Sequence, residues 1–225
     1  MCQPPFPILY EDNHLLVVIK PAMLPTMGVA EDVPSLLSLA KEYIKQKYHK
    51  PGNVYLGIVS RLDVPTSGVV VMARTSKAAS RIAEQFRSRN VEKRYWAIVA
   101  GHPLPEAQCV DWLIKDERHR RVHVVEEECA GARQARLSYT KLQRLRDGTL
   151  LQIELETGRK HQIRVQLAHR GLPVYGDRKY GSRDSFPHGV ALHSRYLSFR
   201  HPVGGATLEM TAPIPAVWKE FGVQD

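Results

Sequence analysis

The stretch Arg61-Leu62-Asp63-Val64-Pro65-Thr66-Ser67-Gly68 stands between two apolar segments, residues 57–59 and residues 69–73. Short apolar runs rich in β-branched residues and bounded by turn-forming residues are typical of buried strands. We therefore predict two strands joined by a polar loop at residues 60–67. A loop of this kind lies at the rim of a sheet, where catalytic and binding groups are often displayed.

Asp63 is the acidic residue of this loop, and Arg61 provides a cation two positions earlier. Spacing alone leaves two interpretations of Asp63 open. Either its carboxylate performs chemistry, or it caps the turn, because aspartate side chains accept hydrogen bonds from nearby backbone amides. The sequence Thr66-Ser67-Gly68 suits a sharp turn, which we expect at that point.

A second polar segment, Thr157-Gly158-Arg159-Lys160-His161-Gln162-Ile163-Arg164-Val165, follows a predicted strand. Gly158 predicts a turn, and the spacing after it predicts a helix over residues 160–170 that Gly171 ends. Backbone amides at a helix start, together with nearby cations, form a site for phosphates or a carboxylate. The alternative is an exposed basic helix start that binds no ligand.

The rest of the chain predicts an α+β fold. Helical spacing follows Pro34, which we place in the first turn of a helix ending near residue 49, and recurs over residues 76–89. Further strands are predicted at residues 8–10, 15–19, 95–99, 137–145, 150–155, 191–199 and 207–210. Hairpins mixed with a few helices indicate a largely antiparallel mixed sheet with flanking helices. A chain of 225 residues suits a single domain over residues 1–225.

Charge and composition point to a class of partner and a compartment. The net charge of +9 makes nucleic acid the expected partner, because a basic surface attracts polyanions. No apolar run approaches the roughly 20 residues of a membrane span, and Met1-Cys2-Gln3-Pro4-Pro5 lacks the features of a secretory signal. Cys2, Cys109 and Cys129 have neither metal-site nor redox spacing, which predicts free thiols. We expect a cytoplasmic protein without a membrane anchor.

Five ordered motifs resemble those of one known family. Residues 61–68 are similar to the active-site signature Arg-Leu-Asp-x-x-Thr-Ser-Gly of the RluA-type pseudouridine synthases. The further motifs, in the family's order, are Ile8-Leu9-Tyr10-Glu11-Asp12 with Val17-Val18-Ile19-Lys20-Pro21, Glu92-Lys93-Arg94-Tyr95-Trp96-Ala97, Thr157 to Arg164 with Gly176-Asp177-x-x-Tyr180-Gly181, and Leu192-His193 with Phe199-Arg200-His201-Pro202. The resemblance covers nearly all of the chain and implies a pseudouridine synthase catalytic domain with a central active-site cleft.

The resemblance implies an enzyme that isomerises uridine to pseudouridine in structured RNA, with Asp63 as its essential carboxylate. Attack on the sugar C1′, addition to the base and removal of a sugar proton all stay open for Asp63. The resemblance also implies that Arg164 pairs with Asp63 and keeps it ionised. Tyr95 is expected to stack on the target uracil and to remove the C5 proton.

Four further residues are expected to contact the substrate. Ile163 should wall the base pocket, and Arg61 should fill the space that the flipped uridine leaves in its stack. Arg159 and His161, in the second polar segment, are expected to contact the RNA. Backbone contacts are also expected from the basic run Arg118-His119-Arg120-Arg121.

The implied reaction oxidises nothing and gains no group, so neither a metal nor another cofactor is expected. The partner is a stem-loop of ribosomal or transfer RNA, and we expect a monomer because no coiled-coil pattern is present. Ser60 and Met23 stand where the family usually has histidine and glycine, which puts loop conformation and RNA preference in doubt. We expect 225 residues to hold the catalytic domain without the S4-type RNA-binding module that many relatives carry.

Two other function classes remain open. A non-catalytic RNA-binding or ribosome-assembly factor would also be basic, although it would not need the set of Asp63, Tyr95 and Arg164. A carboxylate-based glycoside hydrolase would need paired acids, for which Glu154 and Glu156 are the candidates. RNA binding without sugar binding would separate these classes.

Overall fold

The computed structural model describes residues 4–30 and 32–224. They form two compact units, one made of the chain up to Glu92 with Ser194–Ala212, and the other of Lys93–His193 with the chain from Pro213 onwards. We call them unit 1 and unit 2. The single domain expected over residues 1–225 stays a prediction, and Cys2 lies outside the described residues.

The described residues form eleven strands, three α-helices and two short 3₁₀ helices. The elements in chain order are β1 (Ile8–Glu11), β2 (Leu15–Lys20), α1 (Leu36–Lys47), β3 (Gly57–Ile58), β4 (Ser67–Ala73), α2 (Ser76–Arg87), β5 (Glu92–Ala100), β6 (Glu106–Asp116), β7 (Arg121–Val125), β8 (Arg133–Arg144), β9 (Gly148–Leu155), α3 (Gln162–His169), a 3₁₀ helix (Arg178–Tyr180), β10 (Leu192–Arg200), β11 (Thr207–Thr211) and a 3₁₀ helix (Ala216–Phe221). The α+β class predicted from the sequence is confirmed.

In unit 1 the strands follow the order β1-β2-β4-β10, with β3 against β4 and β11 against β10. Both faces of β2 and β4 are buried, which explains their uninterrupted apolar sequence. Leu15, Val17, Val69 and Val71 pack in one cluster with Ile82 of α2. The alternate residues Leu16, Val18, Val70 and Met72 pack with Leu36, Ala40 and Ile44 of α1. A strand that is covered on both faces has no solvent-facing position for a polar residue.

Capping explains where the first two helices begin. The Ser35 side chain accepts a hydrogen bond from Ser38 N at 3.2 Å, so Ser35 is the N-cap of α1. Pro34 therefore lies before the N-cap, and its predicted place in the first turn is wrong. Thr75 caps α2 by accepting from Ala78 N at 3.1 Å.

In unit 2 the strand order is β5-β9-β8-β6-β7, and the neighbouring strands pair antiparallel. Its main core contains Ile98 of β5, Leu151 and Ile153 of β9 and Leu167 of α3. The predicted hairpin of β8 and β9 is present. The sequence pattern did not predict β6, because most of its exposed positions carry polar residues that interrupt the apolar signal.

Candidate active site

Asp63 lies in the loop between β3 and β4, and its side chain is partly exposed. The Asp63 carbonyl accepts a hydrogen bond from Thr66 N at 3.1 Å, which closes a turn with Val64 and Pro65 at its centre. Ser67 and Gly68 already belong to β4. The sharp turn expected at residues 66–68 is therefore wrong, because the turn comes before them and directly follows the carboxylate.

Gly68 is needed for close approach of the backbone rather than for a turn. Its φ is +118°, and a Cβ atom at this position would lie 2.3 Å from the Ser194 carbonyl oxygen. Only glycine allows β4 and β10 to come this close. Gly68 is also the register partner of Lys20 in β2, so the start of β4 and the end of β2 lie side by side.

Lys20 is a residue of the site for which the sequence analysis predicted no role. Its side chain is fully buried, and Nζ donates to three carbonyl oxygens, of Pro21 at 2.9 Å, Leu24 at 2.7 Å and Val64 at 3.1 Å. Three acceptors match the three donors of an ammonium group. The sequence feature that could have identified Lys20 is its position as a charged residue at the end of an apolar strand.

Two electrostatic effects act on Lys20 in opposite directions. The pKa of the Lys20 ammonium is lowered from 10.5 to about 7, because burial lowers it by more than the nearby Asp63 carboxylate raises it. The lysine and the carboxylate are therefore electrostatically coupled. A negative charge on Asp63 favours the ammonium form of Lys20.

A second pair of hydrogen bonds fixes the loop that carries Asp63. Thr26 Oγ1 donates to the Leu62 carbonyl at 2.9 Å and accepts from Leu62 N at 3.3 Å. Together with the Lys20 bond to Val64, this holds the loop on both sides of the carboxylate. The Asp63 backbone is thus positioned before any substrate binds, while Arg61 remains exposed.

Arg164 of α3 forms a buried ion pair in unit 2. Its Nε donates to Asp177 Oδ2 at 2.6 Å and its Nη2 donates to Asp177 Oδ1 at 2.8 Å. The exposed fractions of the two side chains are only 5% and 1%. A two-point pair of this kind fixes the plane of the guanidinium group.

Tyr180 joins Arg164 to the start of α3. The Arg164 guanidinium carbon lies 5.1 Å from the centre of the Tyr180 ring, and the Tyr180 hydroxyl lies 2.7 Å from His161 Nδ1. Tyr180 and Asp177 are functional candidates that sequence reasoning left without a role. The sequence feature that could have identified them is the motif Gly176-Asp177-x-x-Tyr180-Gly181, which supports the family resemblance.

The helix α3 begins at Gln162, two residues later than predicted. His161 is its N-cap and has a left-handed backbone, with φ of 54°, so the helix cannot extend through it. The Gln162 Oε1 atom accepts from Arg159 N at 2.9 Å and from Thr157 Oγ1 at 2.8 Å. The start of the helix is therefore organised by Gln162, while the Arg159 side chain is exposed and donates from Nε to the Gln134 carbonyl at 3.2 Å.

Tyr95 and Ile163 both belong to the core region of unit 2. Tyr95 lies in β5 opposite Ile153 of β9 and is partly buried against the core. Ile163 is a member of that core and only 4% exposed. Its expected role as a wall of the base pocket stays a prediction.

The predicted site residues therefore divide between the units. Asp63 and Arg61 belong to unit 1, and Tyr95, Arg164, Ile163, Arg159 and His161 belong to unit 2. The structure brings Lys20 into electrostatic contact with Asp63, and Asp177 and Tyr180 into contact with Arg164. The expected ion pair of Asp63 with Arg164 stays a prediction.

The paired acids considered for a glycoside hydrolase each lie beside an arginine. Glu154 and Glu156 are exposed and lie 3.8 Å from Arg94 Nε and 3.2 Å from Arg136 Nε, respectively.

Within residues 4–30 and 32–224 no three histidine, cysteine or acidic side chains form a group that could hold a metal ion. In the same part of the chain, no helix is both long and apolar enough to cross a membrane.

Comparison with known proteins gives matches along most of the chain. The model of the RNA pseudouridylate synthase family matches residues 14–169. The chain is 36% identical to ribosomal large subunit pseudouridine synthase D of Xanthomonas campestris pv. campestris, over 94% of this chain and 66% of that protein. It is 44% identical to an uncharacterized RNA pseudouridine synthase of Chloroflexus aurantiacus, over 73% of this chain and 52% of that protein. The chain thus spans between half and two thirds of these relatives.

A solved structure shares the fold. Human RNA Pseudouridylate Synthase Domain Containing 4 superposes with a TM-score of 0.78, covering 95% of this chain and 90% of that one at 24% identity. At this identity the likeness concerns the arrangement of the backbone. It agrees with the α+β architecture described above.

Proposed function

Because the chain belongs to the RNA pseudouridylate synthase family, we propose that it converts uridine in structured RNA into pseudouridine, with Asp63 as the essential carboxylate. Membership also confirms the resemblance carried by the five motifs. The observation that carries the proposal is the position of Asp63 on a loop that Lys20 and Thr26 hold on both sides. A preorganised carboxylate is what an isomerisation at the sugar-base bond requires.

The proposed reaction breaks the bond between N1 and C1′, turns the uracil and joins C1′ to C5. The C5 proton leaves and N1 gains a proton, so atoms balance without an oxidant or a second substrate. Asp63 begins the reaction as nucleophile or base. The neighbouring Lys20 is electrostatically coupled to this carboxylate, which raises the pKa of the Lys20 ammonium against the effect of burial.

Tyr95 is proposed to act at the end of the reaction, when the C5 proton is removed. A tyrosine ring has a flat face that stacks on a uracil, and its hydroxyl can accept a proton through a general base mechanism. Arg164 is proposed to pair with Asp63. Its guanidinium plane is already fixed by Asp177, which lowers the entropy cost of forming a further contact.

The proposed substrate is a stem-loop of ribosomal RNA or transfer RNA. Large-subunit ribosomal RNA is the first to test, because the relative from Xanthomonas campestris is named for that subunit. The target uridine must leave its base stack before Asp63 reaches C1′, and Arg61 is proposed to fill the vacated space. The net charge of +9 favours capture of such a polyanion. We also propose that the protein acts as a monomer in the cytoplasm.

The test is tritium release from unmodified RNA labelled at uridine C5. Wild type and Asp63→Asn are compared on separate pools of large-subunit ribosomal RNA fragments and transfer RNA. We expect release by wild type alone, with RNA affinity of the variant within about threefold of wild type, since only the reacting group is changed. Asp147→Asn removes one acidic charge from an exposed side chain and serves as the control.

Two outcomes would count against the proposal. Appreciable turnover by Asp63→Asn would refute the role of the carboxylate while leaving the enzyme activity intact. Tight RNA binding by wild type without release from either pool would favour the non-catalytic RNA-binding factor.

A further inference from the structure

A basic cavity lies within unit 2, beside α3. A cavity of about 420 Å³ is formed by the β7 strand, α3 and the 3₁₀ helix Arg178–Tyr180. Cavities that bind small ligands are commonly about 300–1,000 Å³. Val165, Ala168 and His169 of α3 line it. These residues follow the i, i+3, i+4 spacing of one helix face, and Arg164 is absent from the lining although its guanidinium carbon lies 5.1 Å from the centre of the Tyr180 ring, which lines the cavity.

The lining of the cavity carries positive charge. The lining includes the basic residues Arg121, Arg178 and Lys179 and two histidines, His123 and His169. None of the lining residues is acidic, and all of them lie in the described part of the chain. Three like charges around one cavity repel each other, so an anion is the ligand that this lining favours.

These cations are held in place without being neutralised. Arg121 Nη2 donates to the Lys179 carbonyl at 2.5 Å, and Lys179 Nζ donates to the Arg120 carbonyl at 3.1 Å. Arg178 Nη1 donates to the carbonyls of Ser182 at 3.2 Å and Arg183 at 2.9 Å. Carbonyl groups orient a cation but leave its charge in place, and within residues 4–30 and 32–224 none of the three forms an ion pair.

The walls of the cavity are also fixed to one another. The bond from Arg121 to the Lys179 carbonyl joins β7 to the 3₁₀ helix, Lys179 bonds back to the residue before β7, and Val122 N donates to the Tyr180 hydroxyl at 3.0 Å. The position of the cations is therefore set by the backbone of two segments, which is how a preformed anion site is built. Of the two histidines in the lining, His123 lies close to an acidic residue, with its Nε2 3.7 Å from Asp116 Oδ2.

We propose that this cavity binds a backbone phosphate of the substrate RNA, at a nucleotide other than the one that is isomerised. The inference rests on the proposed function for the identity of the polyanion. The residues assigned to the target uridine, Asp63, Tyr95 and Arg164, are absent from the lining. The cavity thus serves as an anchor that positions a longer RNA, and it adds affinity rather than chemistry.

The test compares two double variants that each remove two positive charges. Arg178→Gln with Lys179→Gln changes the cavity, and Arg144→Gln with Arg146→Gln changes two exposed arginines at the turn between β8 and β9. Affinity for the substrate RNA is measured against salt concentration in the Asp63→Asn background, so that turnover does not alter the RNA. Tritium release is measured in the otherwise wild-type background.

We expect the cavity variant to raise KM and Kd about tenfold, with kcat within about twofold of wild type. The salt slope of log affinity should fall by about 1, because each phosphate contact contributes about 0.7–0.9. The exposed control should change each quantity much less. A charge-conserving variant, Arg178→Lys with Lys179→Arg, should keep the wild-type affinity, and thermal unfolding identifies any variant that has lost its fold.

The two proposals fail in different ways. If wild type binds RNA but releases no tritium from any pool, the proposed function fails, and the salt slopes still report on the cavity. If wild type turns over but the cavity variant and its control have the same affinity and slope, the phosphate site is refuted. A fall in kcat with KM unchanged would also refute it, because an anchor outside the reacting nucleotide acts on binding.

Discussion

The Arg164 guanidinium and the Asp177 carboxylate meet at two points, at 2.6 Å and 2.8 Å, in a site where both side chains are almost completely buried. Asp177 follows Arg164 by thirteen positions, and the segment between them contains the rest of α3 and the loop after it. The pair therefore ties the 3₁₀ helix Arg178–Tyr180 to α3. It also makes Asp177 the residue that positions the proposed partner of Asp63.

Asp177→Ala is expected to lower the free energy of unfolding by about 3–5 kcal/mol, because it removes one member of a buried ion pair. Urea denaturation with a fitted slope measures the change. Asp147→Ala removes a carboxylate whose side chain is 79% exposed and should alter the free energy by less than about 0.5 kcal/mol. Equal effects of the two substitutions would contradict the structural role of Asp177.

Lys20 predicts a specific dependence of stability on pH. Its pKa is about 7 in the folded protein and 10.5 in the unfolded chain, so the unfolded chain holds a proton at pH 9 that the folded protein has lost. Stability therefore rises with pH across this window. The difference in unfolding free energy between wild type and Lys20→Met should shift by about 2 kcal/mol in favour of wild type between pH 7 and pH 9.

Chemical denaturation at several pH values tests this prediction, with Lys50→Met as the control because Lys50 is exposed. A difference between wild type and Lys20→Met that stays constant from pH 7 to pH 9 would mean that Lys20 keeps its proton in the folded state. The three carbonyl bonds and Asp63 would then outweigh the effect of burial.

The parts of the fold that the sequence predicts are those where burial alone decides. The apolar runs of β2 and β4 need only a cover on each face to be strands, and α1 and α2 provide it. Lys20 shows the opposite case, since its burial depends on carbonyl oxygens from two separate loops. The hydrophobicity pattern of the sequence alone predicts that such a lysine is exposed to solvent.

The residues of the candidate site also divide into those that the sequence pattern reveals and those whose role depends on contacts formed by folding. Asp63 stands out because a carboxylate in a loop between buried strands is visible in the sequence itself. The true reason for Gly68 is the backbone of Ser194, which lies 126 residues later and is adjacent only after folding. Arg164 was assigned by motif, yet its partner Asp177 became apparent only from the distance between their atoms.

Gly68→Ala is expected to destabilise the protein by about 2–5 kcal/mol, because it adds left-handed strain to a steric clash with the backbone of β10. Gly158→Ala is the matched control, since an added Cβ at Gly158 meets nothing within 4 Å. Thermal and urea unfolding of the two variants provide the comparison. Similar stabilities would show that β4 and β10 can separate at this point without loss.

Tyr95→Phe separates the two roles proposed for Tyr95, because it keeps the ring and removes the hydroxyl. We expect RNA affinity within about twofold of wild type and tritium release slowed about 100-fold or more, the range that general base catalysis contributes. Single-turnover release of tritium from C5 measures the step directly, because that bond must break for the label to leave. Tyr55→Phe removes an exposed hydroxyl and is the control. Release at the full rate would assign proton removal to another group and leave Tyr95 with stacking alone.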